Sequence, residues 1–241
     1  MQRILVIQTA FIGDVVLATG LLEKLHASFP DAALDIVVRK GNEPLFRQHP
    51  FLHEVLTWDK GRSKYRNLFK LLLRIRRTKY DLVINVQRYA ATGFITAFSK
   101  AKRTIGFDRN PFSFLFSDVV RHVFGESGHT VHEIERNHQL IESFTDKQAA
   151  KPKLYPSAAD ATAVAQWQQS PYICIAPASV WFTKQFPAGQ WVLLMNALPA
   201  SHKVYLVGAP GDRLLCEQIA TASLHAGVVN LAGQLDFLQS A

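Results

Sequence analysis

Three short apolar runs constrain this chain more than any other feature. They are RILVIQ at 3–8, LDIVV at 34–38 and LVINV at 82–86. Strands this continuously apolar need cover on both faces. Segments with helical periodicity follow them. Residues 14–29 place Val15, Ala18, Leu22, Leu25 and Phe29 near a 3.6-residue repeat, and Pro30 and Asp31 end that helix. Residues 65–79 carry Leu68, Leu71, Leu72 and Ile75 as an apolar stripe on a basic helix. A short strand is expected at 54–57, a helix at 91–99, a strand at 104–107 and a helix at 131–144. Strand and helix in alternation imply an α/β fold with a mostly parallel sheet.

The rhythm breaks over 146–170, which is rich in Lys, Pro, Ala and Ser. It then resumes with strands at 172–176 and 204–208, helices at 188–198 and 212–222, and a short strand and turn at 228–233. With 241 residues available, two modest domains fit. We expect a first domain over 1–155, a linker over 156–170 containing a short helix near 160–169, and a second, incomplete domain over 171–241. No internal repeat of fixed period is visible.

Composition narrows the function classes. Cys174 and Cys216 are the two cysteines, which excludes a disulfide-dense scaffold and a four-cysteine zinc site, and both read as structural. No run of 18 apolar residues occurs, and the MQRILVIQTA start is unlike a signal peptide, so a cytoplasmic protein is expected. The net charge is +8, and 22 of the 27 Lys and Arg residues lie within 1–150. Lys60 to Lys79 holds nine basic side chains and no acid. Such a segment is either a solvated, self-repelling face or a surface for an anionic partner, a phosphorylated small molecule or lipid headgroup. Nucleic acid is not expected, because zinc-finger spacing, an RNP run and a recognition-helix pattern are all missing.

Chemistry concentrates in three strand-to-helix turns, the ends at which open α/β sheets bind ligands. The first, QTAFIGD, lacks the dinucleotide and P-loop glycine patterns. Its Gly13 permits close approach or an awkward backbone angle. Asp14 is either a cap or first-turn acid of the helix, or a carboxylate able to take a proton from an attacking hydroxyl. The second, PASVWFTKQFP, holds Ser179, Thr183 and Lys184, types suited to phosphate oxygens near a helix start. The third, GAPGD, ends in Asp212, either a cap or an acceptor for ribose hydroxyls. Histidine pairs His49/His53 and His129/His132 have no evident third ligand, so no metal site is expected.

Taken in order, ILVIQTAFIGDVVLATGLLEKL, YDLVINVQ, RTIGFD, HEIERNHQL, PASVWFTKQFP, VYLVGAPGD and VVNLAGQLDFLQSA resemble the ADP-heptose:lipopolysaccharide heptosyltransferases, glycosyltransferase family 9. The resemblance implies a GT-B-like arrangement of two Rossmann-like parallel-sheet domains across a cleft. It implies inverting, metal-independent transfer of heptose from ADP-heptose to a lipopolysaccharide inner-core acceptor, without a cofactor. Asp14 matches the family's base, and Ser179, Thr183, Lys184 and Asp212 match its donor contacts. Lys60, Arg62, Lys64 and Arg66 are candidates for the anionic acceptor. The partners implied are a nucleotide sugar and an anionic lipid A-linked core oligosaccharide, at the cytoplasmic face of the inner membrane. The family pattern continues into a DSG-x-x-H segment beyond the LAG run, whereas this sequence stops at Ala241. A catalytically impaired fragment that only binds anionic glycolipid is the alternative.

Overall fold

The computed structural model describes residues 2–123 and 131–241. Chain contacts divide it into two units, Met1–Tyr155 and Pro156–Ala241. The first unit is built on six parallel strands, β1 (Arg3–Ile7), β2 (Ala33–Arg39), β3 (Leu52–Trp58), β4 (Leu82–Asn85), β5 (Arg103–Phe107) and β6 (Asp118–Val120). Their spatial order is β3-β2-β1-β4-β5-β6, a doubly wound sheet whose direction of winding reverses between β1 and β4. The alternating side chains of β1 feed two separate cores. Ile4 and Val6 join Val15, Leu22 and Leu25 of α1 (Ile12–Ser28), and Leu140 and Ile141, which follow α4 (Glu133–Gln139). Leu5 and Ile7 join Leu68, Leu71 and Ile75 of α2 (Lys64–Thr78), and Ile95 of α3 (Ala90–Ala97). One sheet face is thus covered by α1 and α4, the other by α2 and α3.

The second unit opens with α5 (Ala158–Val164) and a 3-10 turn over Ala165–Trp167. Its sheet has three parallel strands, β7 (Tyr172–Ile175), β8 (Lys203–Leu206) and β9 (Val228–Asn230), in the order β7-β8-β9. Helices α6 (Ala188–Ala197) and α7 (Arg213–Ala222) pack through Met195, Cys216 and Ile219 onto Ile175, Val204 and Leu206. Parallel strands in both units make the fold α/β.

Several elements differ from expectation. Strand β6 was not foreseen, since three residues beginning with an Asp give no periodic signal. The helix expected over 131–144 stops at Gln139 and continues as a 3-10 turn over Glu142–Phe144. Between the two, Leu140 and Ile141 both turn into the core. Cys216 is buried as expected, but Cys174 is exposed on β7. His129 lies outside the described residues.

Candidate active site

The first unit has a cavity of about 800 Å³ at the carboxyl ends of β1 to β4, where the reversal of a doubly wound sheet leaves a crevice. Asp14 lines it, half-buried in the first turn of α1. The helix begins at Ile12 with Phe11 at the cap position, so Asp14 is a first-turn acid and not the cap. Gly13 sits within the helix, with no positive φ and with open space where a side chain would project. An awkward backbone angle is therefore not its role.

Amide side chains hold the turns around the cavity. Buried Gln8 accepts from the Ala10 amide at 3.2 Å and from Gln87 Nε2 at 2.5 Å, coupling the turns after β1 and β4. Asn42 donates to the Ala10 carbonyl at 3.0 Å. Asn110 donates to the carbonyls of Gln87 and Tyr89 at 3.0 and 3.1 Å, ahead of α3. A methyl group on Gly93 would overlap that Asn110 amide, so α3 can approach only with glycine there.

Cations occupy one wall. Lys60 donates to the Thr9 carbonyl at 2.6 Å and lies 4.8 Å from the centre of the Trp58 ring. Burial, reinforced by the charges of Arg39 and Lys64, lowers its pKa to about 8. Arg39 lies over Phe11 at 5.5 Å, and Lys64 lies between Trp58 and Tyr65 at 6.0 and 5.7 Å. Opposite charge comes from Asp14, which also attracts Arg136 on α4. Burial is the main influence on Arg136, and lowers its pKa. Phe69, Tyr89, Phe94 and Phe112 add flat apolar surface. The arrangement can hold an anionic ligand with apolar ring faces beside one carboxylate able to accept a proton.

The residues proposed from sequence divide between the units. Asp14, Lys60 and Lys64 come together around the cavity, while Arg62 and Arg66 are exposed and do not line it. Ser179, Thr183, Lys184 and Asp212 lie in the second unit. Ser179 Oγ accepts from the Trp181 amide at 3.2 Å, and its carbonyl accepts from Gln185 Nε2 at 2.7 Å. A 3-10 turn over Phe182–Lys184 leaves Thr183 and Lys184 exposed shortly before α6, whose start has no side-chain cap. The Asp212 carboxylate accepts from the Ala209 amide at 2.8 Å, closing its own turn. Sequence reasoning missed Arg39 and the four amides. Their bonds join residues far apart in the chain, and no local motif marks them. Among the described residues, no three His, Cys, Asp or Glu side chains gather to hold a metal ion.

The family model for glycosyltransferase family 9 (heptosyltransferase) matches residues 68–241, well over half of the chain. The chain belongs to glycosyltransferase family 9. Among curated relatives of this family 9 chain, lipooligosaccharide heptosyltransferase 2 of Haemophilus ducreyi is 22% identical, over 99% of this chain and 73% of that protein. Lipopolysaccharide heptosyltransferase 3 of Escherichia coli is 24% identical, over 94% of this chain and 70% of its own length. The solved structure of E. coli ADP-heptose lps heptosyltransferase II shares the fold, with a TM-score of 0.79 at 21% identity, covering 99% of this chain and 75% of that one.

Proposed function

We propose that this protein transfers heptose from ADP-heptose to an inner-core sugar of lipopolysaccharide, with inversion and without a metal ion. The family match over residues 68–241 carries this reading. The matched span starts after Asp14, so the assignment of Asp14 as base rests on its place in the crevice cavity. In the reaction, an acceptor hydroxyl oxygen attacks the anomeric carbon of the heptose from the face opposite ADP. Its proton passes to the Asp14 carboxylate. The bond from the anomeric carbon to the phosphate oxygen breaks, and ADP leaves with the electron pair. Lys184, with Ser179 and Thr183, offsets the charge on the leaving diphosphate. Asp212 reaches the ribose only through the carboxylate oxygen that does not close its turn. Lys60 and Lys64, with Arg39, hold the phosphates or carboxylates of a lipid A-linked core, and the acceptor is met at the cytoplasmic face of the inner membrane.

The test is turnover of ADP-heptose with a core acceptor, followed by ADP release and product mass. Asp14→Asn should lower kcat by about 10²–10⁴-fold, the span of general-base catalysis, while the thermal midpoint stays put. Near-normal turnover in that variant would remove Asp14 from the mechanism. Absence of transfer by the unaltered protein, with ADP binding also absent by calorimetry, would reject the function itself.

A further inference from the structure

Helix α2 is apolar over a wider arc than its core contacts use. Leu68, Leu71, Leu72 and Ile75 are buried beneath it. Beside that stripe, at intervals of four residues, run Tyr65, Phe69 and Leu73, which are 75%, 56% and 44% exposed. Residues four apart share one flank of a helix, so these three form a second, unburied stripe. It continues across the seam to α3. The Phe69 ring lies 6.4 Å from Phe94, and Phe94 lies 4.9 Å from Phe98 and 6.0 Å from Phe112. Phe98 is 43% exposed, and Phe114, after Phe112, is 78% exposed. A contiguous apolar patch of this kind marks a surface that meets something other than water.

Charge identifies what it meets. Residues 60–115, which span the patch, contain fourteen Lys and Arg and two acids, Asp81 and Asp108. Asp81 is at the opposite end of the sheet, ahead of β4, and is occupied by Lys102 and by the amides of Gln2 and Arg3, while the Asp108 carboxylate accepts from the His122 amide at 2.8 Å. Arg66, Lys70 and Arg77 follow the apolar stripe around α2, and Lys100 follows α3. Aromatic rings flanked by unneutralised cations on a basic amphipathic helix suit the headgroup region of an anionic bilayer. Among the described residues no helix is long and apolar enough to cross a membrane, so the contact would be interfacial.

We infer that the outer face of α2 and α3, with the Phe112–Leu115 turn, docks the protein on an anionic lipid surface. This deepens the reading above and rests on it for the lipid-anchored acceptor. Tyr65, Phe69, Phe94 and Phe112 line the Asp14 cavity as well as the patch. A sugar tethered to lipid can therefore enter the cavity while its anchor stays in the bilayer.

The full chain is mixed with vesicles of phosphatidylcholine, alone or with phosphatidylglycerol, and the bound fraction is measured by sedimentation. The protein should bind the mixed vesicles, release them as salt rises, and bind pure phosphatidylcholine weakly. Lys70→Glu should weaken binding by at least about fivefold, the equivalent of about 1 kcal/mol for one basic residue at an anionic surface. Leu73→Ser with Phe114→Ser should weaken it at least as much. Neither change touches the cavity, so both variants should keep their thermal midpoints and their turnover on a delipidated, water-soluble acceptor. Indifference of the unaltered protein to mixed vesicles, or equal binding by the variants, overturns the inference. So does a change in oligomeric state on Leu73→Ser/Phe114→Ser with vesicle binding intact, which would make the patch a contact between copies. Failure to glycosylate the soluble acceptor sinks the transferase reading instead, and leaves the vesicle result standing.

Discussion

Lys60 gives the site a pH dependence with opposite signs in two measurements. Its folded pKa of about 8 lies below the ordinary 10.5, because burial and two neighbouring cations disfavour its charge. Between those values the unfolded chain holds a proton that the native protein has released, so native stability rises with pH across that window. Binding of an anionic acceptor goes the other way. As pH climbs through about 8 the ammonium is lost and KM for the acceptor should rise. Lys60→Arg, which stays charged, should flatten that rise, and acceptor KM measured across the pH range checks it. An unchanged profile would remove Lys60 from acceptor binding. His49 behaves differently. It is boxed by Phe46, Phe51 and Tyr155, and neither ring nitrogen has a hydrogen-bond partner among the described residues. Burial, then the charge of His26, lowers its pKa to about 4 from 6.5. Its contribution to stability is complete above 6.5 and is lost as pH falls toward 4. Thermal midpoints taken between about pH 7 and pH 5 should decline, and His49→Phe should reduce the decline by keeping a ring without a titrating nitrogen. Neither behaviour could be read from sequence. The basic run announced Lys60, but not that its amine folds back onto the Thr9 carbonyl, and the spacing of His49 and His53, set aside for want of a third ligand, carries no sign of the aromatic box around His49. Asp14 was legible because a carboxylate at the first strand-to-helix turn of an α/β chain falls at the crevice by topology. Gln8 and Gln87 were not, because their hydrogen bond spans 79 residues.

At the scale of elements, α2 separates burial from surface function on adjacent residues. Leu72 is 2% exposed and Leu73 is 44% exposed. Leu72→Ala leaves a cavity under the sheet and should cost about 2–5 kcal/mol. Leu73→Ala should stay within about 0.5 kcal/mol, as exposed changes do. Denaturant unfolding of the two variants decides it, and a large loss at Leu73 would mean that its flank is packed and unavailable to a bilayer. The buried stripe of α2 was legible because the helical repeat is regular and every apolar position on it meets strands of known alternation. Residues 14–29 gave the helix but set its start two residues late, since Asp14 looks like a cap while the cap position belongs to Phe11, whose side chain makes no capping bond. The exposed stripe of Tyr65, Phe69 and Leu73 was not singled out in sequence, because the helical repeat marks the four buried positions and leaves their neighbours as ordinary surface. The rings of α3 beside Phe69 are what extend it into a patch.

At the scale of the whole molecule, the two units have separate cores and carry different chemistry. The cationic cavity with its carboxylate is confined to Met1–Tyr155, and the hydroxyl and lysine loop to Pro156–Ala241. The charge distribution foreshadowed that division, with +7 of the net charge inside the first 150 residues. Charge alone could not say which turn bears which ligand, because strand-turn-helix segments occur in both units. Hydrogen exchange read by mass spectrometry can make that allocation. A ligand that binds only the native protein at about a hundred times its Kd stabilises its site by about 2.7 kcal/mol, or about a hundredfold slower exchange where opening requires release. ADP should therefore protect residues 177–187 and 208–212 and leave 8–14 exchanging as before. A core oligosaccharide should protect 8–14, 58–65 and 87–94. Protection by ADP concentrated around Asp14, with the 177–187 loop unaffected, would exchange the two assignments. Lys184 would then have no leaving group to neutralise, and the cations of the first unit would face the nucleotide diphosphate in place of the acceptor.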